Sequence, residues 1–141
     1  MQDGLCEVGG LKDVEVLVDA KFTAILDLND DHKERTKANE RDLVYLGFSI
    51  PDNTEPIDPC SLHRAVGVLD SLLKGGHRVY LHCTGGQGRS PTVRAAYFIC
   101  RKGMTVDEAK ATVLKERPQA WRGDDEKFAR RLEEFATLHL R

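Results

Sequence analysis

Nine consecutive residues, His82 to Ser90 (HCTGGQGRS), bring together a cysteine, an arginine, a serine and three glycines. Cys83 and Arg89 have five residues between them, and Gly85, Gly86 and Gly88 lie inside that interval. Glycine permits positive φ and close backbone approach, so such a turn can aim successive N–H groups at one point, with the next helix aimed at the same spot. A phosphate-like anion is the natural guest. Arg89 adds a planar fork of donors that matches two phosphoryl oxygens, which lysine cannot reproduce. The same positive surroundings stabilise a thiolate at Cys83, so cradle and nucleophile share one loop.

Two elements must position that loop. Arg78 to His82 (RVYLH) reads as a central strand. Ser90-Pro91 reads as a helix start, with Ser90 as the cap and Pro91 in the first helical position, and this helix runs to about Lys102 with apolar residues nearly all round. Upstream, Leu11, Val14, Leu17 and Val18 recur at helical spacing, and Phe22 to Leu28 (FTAILDL) reads as a buried strand. Asn29 to Asp42 is charged and unpatterned, a solvated loop or short exposed helix, and Leu43 to Phe48 is a second strand. Pro51, Pro56 and Pro59 make residues 51 to 59 a loop. Leu62, Ala65, Val66, Leu69, Leu72 and Leu73 mark one face of a helix that stops at Gly75-Gly76. Thr105 and Glu108 form a capping box for a helix ending before Pro118, and another helix starts near Asp124 with Phe128, Leu132, Phe135, Ala136 and Leu138 as core candidates. Strands alternating with helices, then helices in succession, predict an α/β fold with a central, mostly parallel sheet flanked by helices.

Length and composition bound the rest. The 141 residues, 40% apolar and 31% charged, suit a single domain spanning residues 1–141 and exclude disorder. A net charge of −2 gives no reason to expect nucleic acid as a partner. The longest apolar run, Ala95 to Cys100, falls far short of the roughly 18 residues that cross a bilayer, so no membrane insertion is expected. The first residues, MQDGLCEVGG, do not read as a signal peptide, and a cytoplasmic location is the simplest expectation. Four cysteines (Cys6, Cys60, Cys83 and Cys100) show no CxxC pair and no zinc spacing, so reduced thiols and no metal or organic cofactor are expected.

From about Leu11 to the last helix, the chain resembles the cysteine-dependent dual-specificity phosphatases of the protein tyrosine phosphatase superfamily, whose signature is HC, five residues, R, then S or T. The resemblance implies a compact domain of that fold in which Cys83 attacks phosphorus to give a phosphocysteine. Arg89 and the backbone N–H groups of Thr84, Gly85, Gly86, Gln87, Gly88 and Arg89 would hold the phosphoryl oxygens. Ser90 would hydrogen-bond the sulfur and help it leave, and His82 would orient the loop. The family's general acid is an Asp about thirty residues before the cysteine. Asp52, 31 residues before Cys83 on the IPDNTEPID loop, is the candidate. Asp58 is the alternative, and Asp70 falls inside a predicted helix.

The short chain implies a shallow pocket open to phosphoserine, phosphothreonine and phosphotyrosine, so a phosphoprotein or another phosphomonoester is the expected partner. Thr84 and Gln87 are neutral where phosphoinositide phosphatases of the superfamily often carry Lys or Arg. The pattern C-x-G-G-x-G-R-S looks like the cyclin-dependent-kinase-associated phosphatases. Glucan phosphatases, with C-x-A-G-x-G-R, differ at Gly85 and stand as the enzymatic alternative. A phosphoresidue-binding module is the non-enzymatic one. Rhodanese-like transferases and arsenate reductases fit neither the spacing nor position 83. Cys6, Cys60 and Cys100 read as small core hydrophobes, with Cys6 or Cys60 as a conceivable redox partner of Cys83. His32, His63, His77 and His139 belong to no constellation. Trp121 reads as a packing residue, Arg117 and Arg122 as solvated, and Asp30 to Asp42 as a solvated face. Substrate identity and oligomeric state stay open at this level.

Overall fold

Side chains of a strand alternate between faces, and the centres of FTAILDL and RVYLH carry apolar residues on both, Ala24 and Leu26 against Ile25, and Val79 and Leu81 against Tyr80, as a strand covered on two sides requires. The computed structural model describes residues 5–53 and 55–139, without the side chain of His139. Four parallel strands, β1 (Cys6–Gly9), β2 (Ala24–Asp27), β3 (Val44–Gly47) and β4 (Val79–His82), form one sheet in the order β1-β4-β2-β3. Parallel neighbours need crossovers. Helices α1 (Val14–Asp19), α2 (His32–Glu40) and α3 (Pro59–Lys74) supply them, and α4 (Arg89–Lys102), α5 (Val106–Glu116), a 3₁₀ turn (Gly123–Ala129) and α6 (Leu132–His139) follow.

The alternation sorts the core into two layers. Ala24, Leu26, Val79 and Leu81 face the larger one, with Leu62, Val66, Leu69, Val93 and Phe135. Ile25 and Tyr80 face the smaller one, with Val14, Leu17 and Ala38. The register sets Asp27 directly opposite His82, so these two residues end neighbouring strands on one face, that of Ile25 and Tyr80. The capping box bears out its reading: Thr105 Oγ1 accepts from Glu108 N at 3.1 Å, and Glu108 Oε1 accepts from Thr105 N at 2.9 Å.

Several local readings are corrected. β1 has no counterpart in the sequence analysis, and α1 starts only after Asp13, whose carboxylate accepts from Glu15 N, leaving Leu11 outside the helix and exposed. Of the two readings of Asn29 to Asp42, loop or short exposed helix, the helix holds, capped by Asp31, but it is not exposed all round, since Glu34 and Ala38 turn inward. Ser90 is no cap: α4 begins at Arg89 behind Gly88, which frees the serine hydroxyl for other partners. Pro59 is the first residue of α3. The last predicted helix is divided into the 3₁₀ turn and α6, on which Leu138 is exposed rather than core. Cys60 is exposed, not buried. Among the described residues no helix is long and apolar enough to cross a membrane.

Candidate active site

β4 ends at His82 and α4 begins at Arg89, so the loop between them hangs from two buried elements. Six consecutive loop carbonyls are engaged by donors outside the loop. The Cys83 carbonyl is 3.0 Å from His82 Nδ1, and that of Thr84 accepts from Leu11 N at 2.9 Å. Arg117 donates to the carbonyls of Gly85 (3.2 Å) and Gly86 (2.6 Å), and the Trp121 amide donates to that of Gln87. The Gly88 carbonyl accepts from Thr92 N at 3.2 Å and Thr92 Oγ1 at 2.7 Å. In a trans peptide the N–H points opposite to the preceding C=O. Carbonyls turned outward from Cys83 to Gly88 therefore turn the N–H groups of Thr84 to Arg89 inward, which builds an anion nest.

Two glycines are needed for this shape. Gly86 has φ +70°, and a Cβ there would sit 2.4 Å from Gly10 N and Gly9 C. At Gly88 a Cβ would meet the Phe128 ring at 2.3 Å.

Cys83 Sγ lies at the floor of the nest, 2% exposed, and 3.3 Å from Ser90 Oγ. Ser90 Oγ also reaches the Gly9 carbonyl at 3.2 Å. One hydroxyl proton serves one acceptor at a time, so it can bond the carbonyl beside a thiol and turn to the sulfur beside a thiolate. The Arg89 guanidinium, 3% exposed, is held before any ligand arrives. Its Nη1 donates to Asn29 Oδ1 (2.9 Å) and the Ile50 carbonyl (2.8 Å), and its Nη2 to Thr84 Oγ1 (3.3 Å). Asp52 lies across the same cavity, its Oδ2 3.6 Å from Arg89 Nη2, on a largely exposed side chain. That cavity, lined by Asp52, Cys83, Gln87, Arg89, Asp125 and Phe128, holds about 40 Å³. It has room for a phosphoryl group and little more.

Behind the nest, His82 is fully buried. Its Nε2 is 2.7 Å from Glu34 Oε2 and 3.6 Å from Asp27 Oδ1. Burial works against the imidazolium, but the Glu34 hydrogen bond and charge, the Cys83 carbonyl and Asp27 outweigh it and raise His82 above its ordinary value. Glu34 is also raised, chiefly by burial, with the His82 hydrogen bond and charge opposing. Asp27 accepts from Asn29 N (2.8 Å), Asp31 N (2.9 Å) and Tyr45 Oη (2.5 Å).

The structure thus brings together Cys83, Arg89, Ser90, Asp52 and the loop Thr84 to Gly88, with His82 behind them. Asp58 stands apart, at the N-terminus of α3 and 3.8 Å from Arg131. Asp70 is bound within α3 and by α4, to Lys74 (3.0 Å) and Arg101 (3.2 Å). Cys6 pairs in register with Val79, four residues before Cys83, so about 13 Å of strand separates the thiols, beyond the reach of a disulfide. Trp121 packs as expected, and its Nε1 donates to Thr92 Oγ1 at 2.9 Å. Arg117 is a correction: it braces the loop instead of being solvated. Asn29, Glu34 and Asp27 were missed: for Asn29 and Glu34 the only sequence signal was polarity within a charged segment, and for Asp27 it was a carboxylate inside the apolar strand FTAILDL.

Residues 5–137 match the family described as Dual specificity phosphatase, catalytic domain. Laforin of Mus musculus is 29% identical over 86 residues, covering 61% of this chain and 26% of that protein. Dual specificity protein phosphatase 1 of Arabidopsis thaliana is 30% identical over 83 residues, covering 59% of this chain and 42% of that protein. The chain therefore spans less than half the length of these curated relatives. Among solved structures, Tk-PTP in its active form superposes with a TM-score of 0.78 at 27% identity, over 95% of each chain.

Proposed function

Because this chain belongs to the dual specificity phosphatase family within the protein tyrosine phosphatase superfamily, we propose that it hydrolyses phosphomonoesters of protein tyrosine, serine and threonine through a phosphocysteine. The observation that carries this reading is the Cys83 sulfur at the floor of a loop whose six outward carbonyls leave their amides facing it. In the first step the Cys83 thiolate forms an S–P bond as the ester P–O bond breaks. The loop amides and the Arg89 fork hold the phosphoryl oxygens while their charge redistributes. A protonated Asp52 gives its proton to the leaving oxygen. In the second step Asp52 takes a proton from water, the water oxygen bonds phosphorus, and the S–P bond breaks. Ser90 then turns its hydroxyl to the departing thiolate.

The 40 Å³ cavity supports the broad residue range, because only the phosphoryl group has to enter and the rest of the ester stays outside. The test is phosphate release, without added metal and with a reductant, from matched phosphotyrosine, phosphoserine and phosphothreonine peptides, a phosphoinositide and amylopectin. Release from the peptides that disappears in Cys83→Ser supports the reading. Preference for amylopectin replaces it with the glucan alternative, and binding of phosphopeptides without release replaces it with a binding module.

A further inference from the structure

α2 is a charged helix, yet it buries one carboxylate, Glu34. Glu34 Oε2 lies 2.7 Å from His82 Nε2, while its Oε1 is buried without a partner among the described residues. The other ring nitrogen, Nδ1, faces the Cys83 carbonyl at 3.0 Å. A carbonyl only accepts, so Nδ1 carries a proton. Nε2 then faces two carboxylates, Glu34 and Asp27, and the oxygens of Asp27 are already occupied by Asn29, Asp31 and Tyr45. A bare lone pair there meets negative charge, whereas a proton on Nε2 makes an ion pair. The spacing fits a proton better than a metal ion, since two ligands of one tetrahedral zinc stand about 3.3 Å apart.

We propose that Glu34 is a positioning residue for the nucleophile loop: it shares a proton with His82, so that the ring stays fixed with its Nδ1–H on the Cys83 carbonyl and that carbonyl stays turned away from the nest. The role in turnover rests on the phosphatase reading, but the state of the ring does not. The groups facing the ring or its carboxylate partners are Asp27 of β2, Asp31 and Glu34 at α2, Tyr45 of β3, Tyr80 of β4 (ring centroid 5.6 Å away) and Cys83. His82 is raised above its ordinary value, so the tie is complete below about pH 6.5 and is lost as pH rises through the folded value. The loop loosens on the alkaline side.

The test follows the ¹⁵N resonances of the His82 ring from about pH 6 to about pH 9 in the wild type and in Glu34→Gln. The Gln amide can donate to Nε2 directly and needs no second ring proton. The wild-type ring is expected to be doubly protonated at neutral pH, and the variant ring to be neutral with its proton on Nδ1. Turnover of an aryl phosphate with a strongly acidic phenol, which does not depend on proton donation by Asp52, is measured alongside. Over the alkaline part of the range it should fall about tenfold in the wild type and about twofold in Glu34→Gln. A wild-type ring that loses its second proton at or below the ordinary histidine value overturns the proposal, as does a variant whose alkaline fall matches the wild type. If no ester is turned over, the phosphatase reading fails while the wild-type ring resonances still decide the proton's place.

Discussion

Replacing Arg117 by alanine removes two charge-assisted bonds from the loop at once, to the carbonyls of Gly85 and Gly86. Gly85 is exposed, so water replaces its donor at little cost, but Gly86 is buried and its carbonyl loses a 2.6 Å bond. A hydrogen bond to a charged group contributes about 1.5–3 kcal/mol, and a buried carbonyl left unpaired costs a similar amount, so about 2–3 kcal/mol is at stake. The smaller part of it should appear as stability, a fall in Tm of roughly 2–5 °C for a chain of this size. More should appear in catalysis, because a freed peptide plane between Gly86 and Gln87 no longer keeps its N–H on the phosphoryl group. Loss of one such donor costs about 10²–10³-fold in rate when complete, so a loosened one should cost about 30- to 100-fold in kcat/KM. The assay is steady-state hydrolysis of a phosphotyrosine peptide below the Tm of both proteins, with inhibition by inorganic phosphate measured in parallel. Arg117→Lys should recover only part of the loss, since an ammonium cannot serve both carbonyls as a fork does. A kcat/KM for Arg117→Ala within threefold of wild type would refute the claim that outward carbonyls hold the inward amides.

Four further outcomes are expected. Asp52→Asn should cost about 10²–10⁴-fold with a phosphoserine peptide and far less with an aryl phosphate whose phenol is strongly acidic, as leaving-group kinetics will report. Asn29→Ala removes the 2.9 Å acceptor of Arg89, so phosphate affinity should fall about tenfold, measured by competitive inhibition. Gly85→Ala should leave Tm nearly unchanged because nothing lies within 4 Å of its Cβ, whereas Gly88→Ala must displace Phe128 and should lower Tm by several degrees in a thermal melt. Iodoacetamide at neutral pH should label exposed Cys60 and spare Cys100, whose thiol burial pushes up to about 11, with peptide mass spectrometry as the readout.

The loop between β4 and α4 was legible because the proposed chemistry requires particular residue types in one contiguous stretch, and strand and helix patterns on either side set its ends. The place of Asp52 at the cavity was legible through its distance from Cys83 and the resemblance, not through any local property. What holds the loop was not legible. Asn29 reaches Arg89 across 60 residues, Glu34 reaches His82 across 48 and Arg117 reaches Gly86 across 31. Each is a polar residue in a polar segment, and only the packed fold distinguishes it from its solvated neighbours. Asp27 shows the missing link most plainly, since it meets His82 through strand register, which no periodicity in one segment can reveal. β1 escaped for a simpler reason: a four-residue edge strand followed by Gly10 carries too little pattern to compete with the helix beyond it.

Phosphoryl transfer to sulfur is the central claim, and rapid acid quench of Asp52→Asn during turnover of an aryl phosphate with an acidic phenol tests it most directly. Slowed hydrolysis should let the intermediate accumulate, and peptide mass spectrometry should find one phosphoryl group on Cys83 that is missing in Cys83→Ser. Turnover with Cys83 never phosphorylated, or turnover that survives Cys83→Ser, would contradict the account.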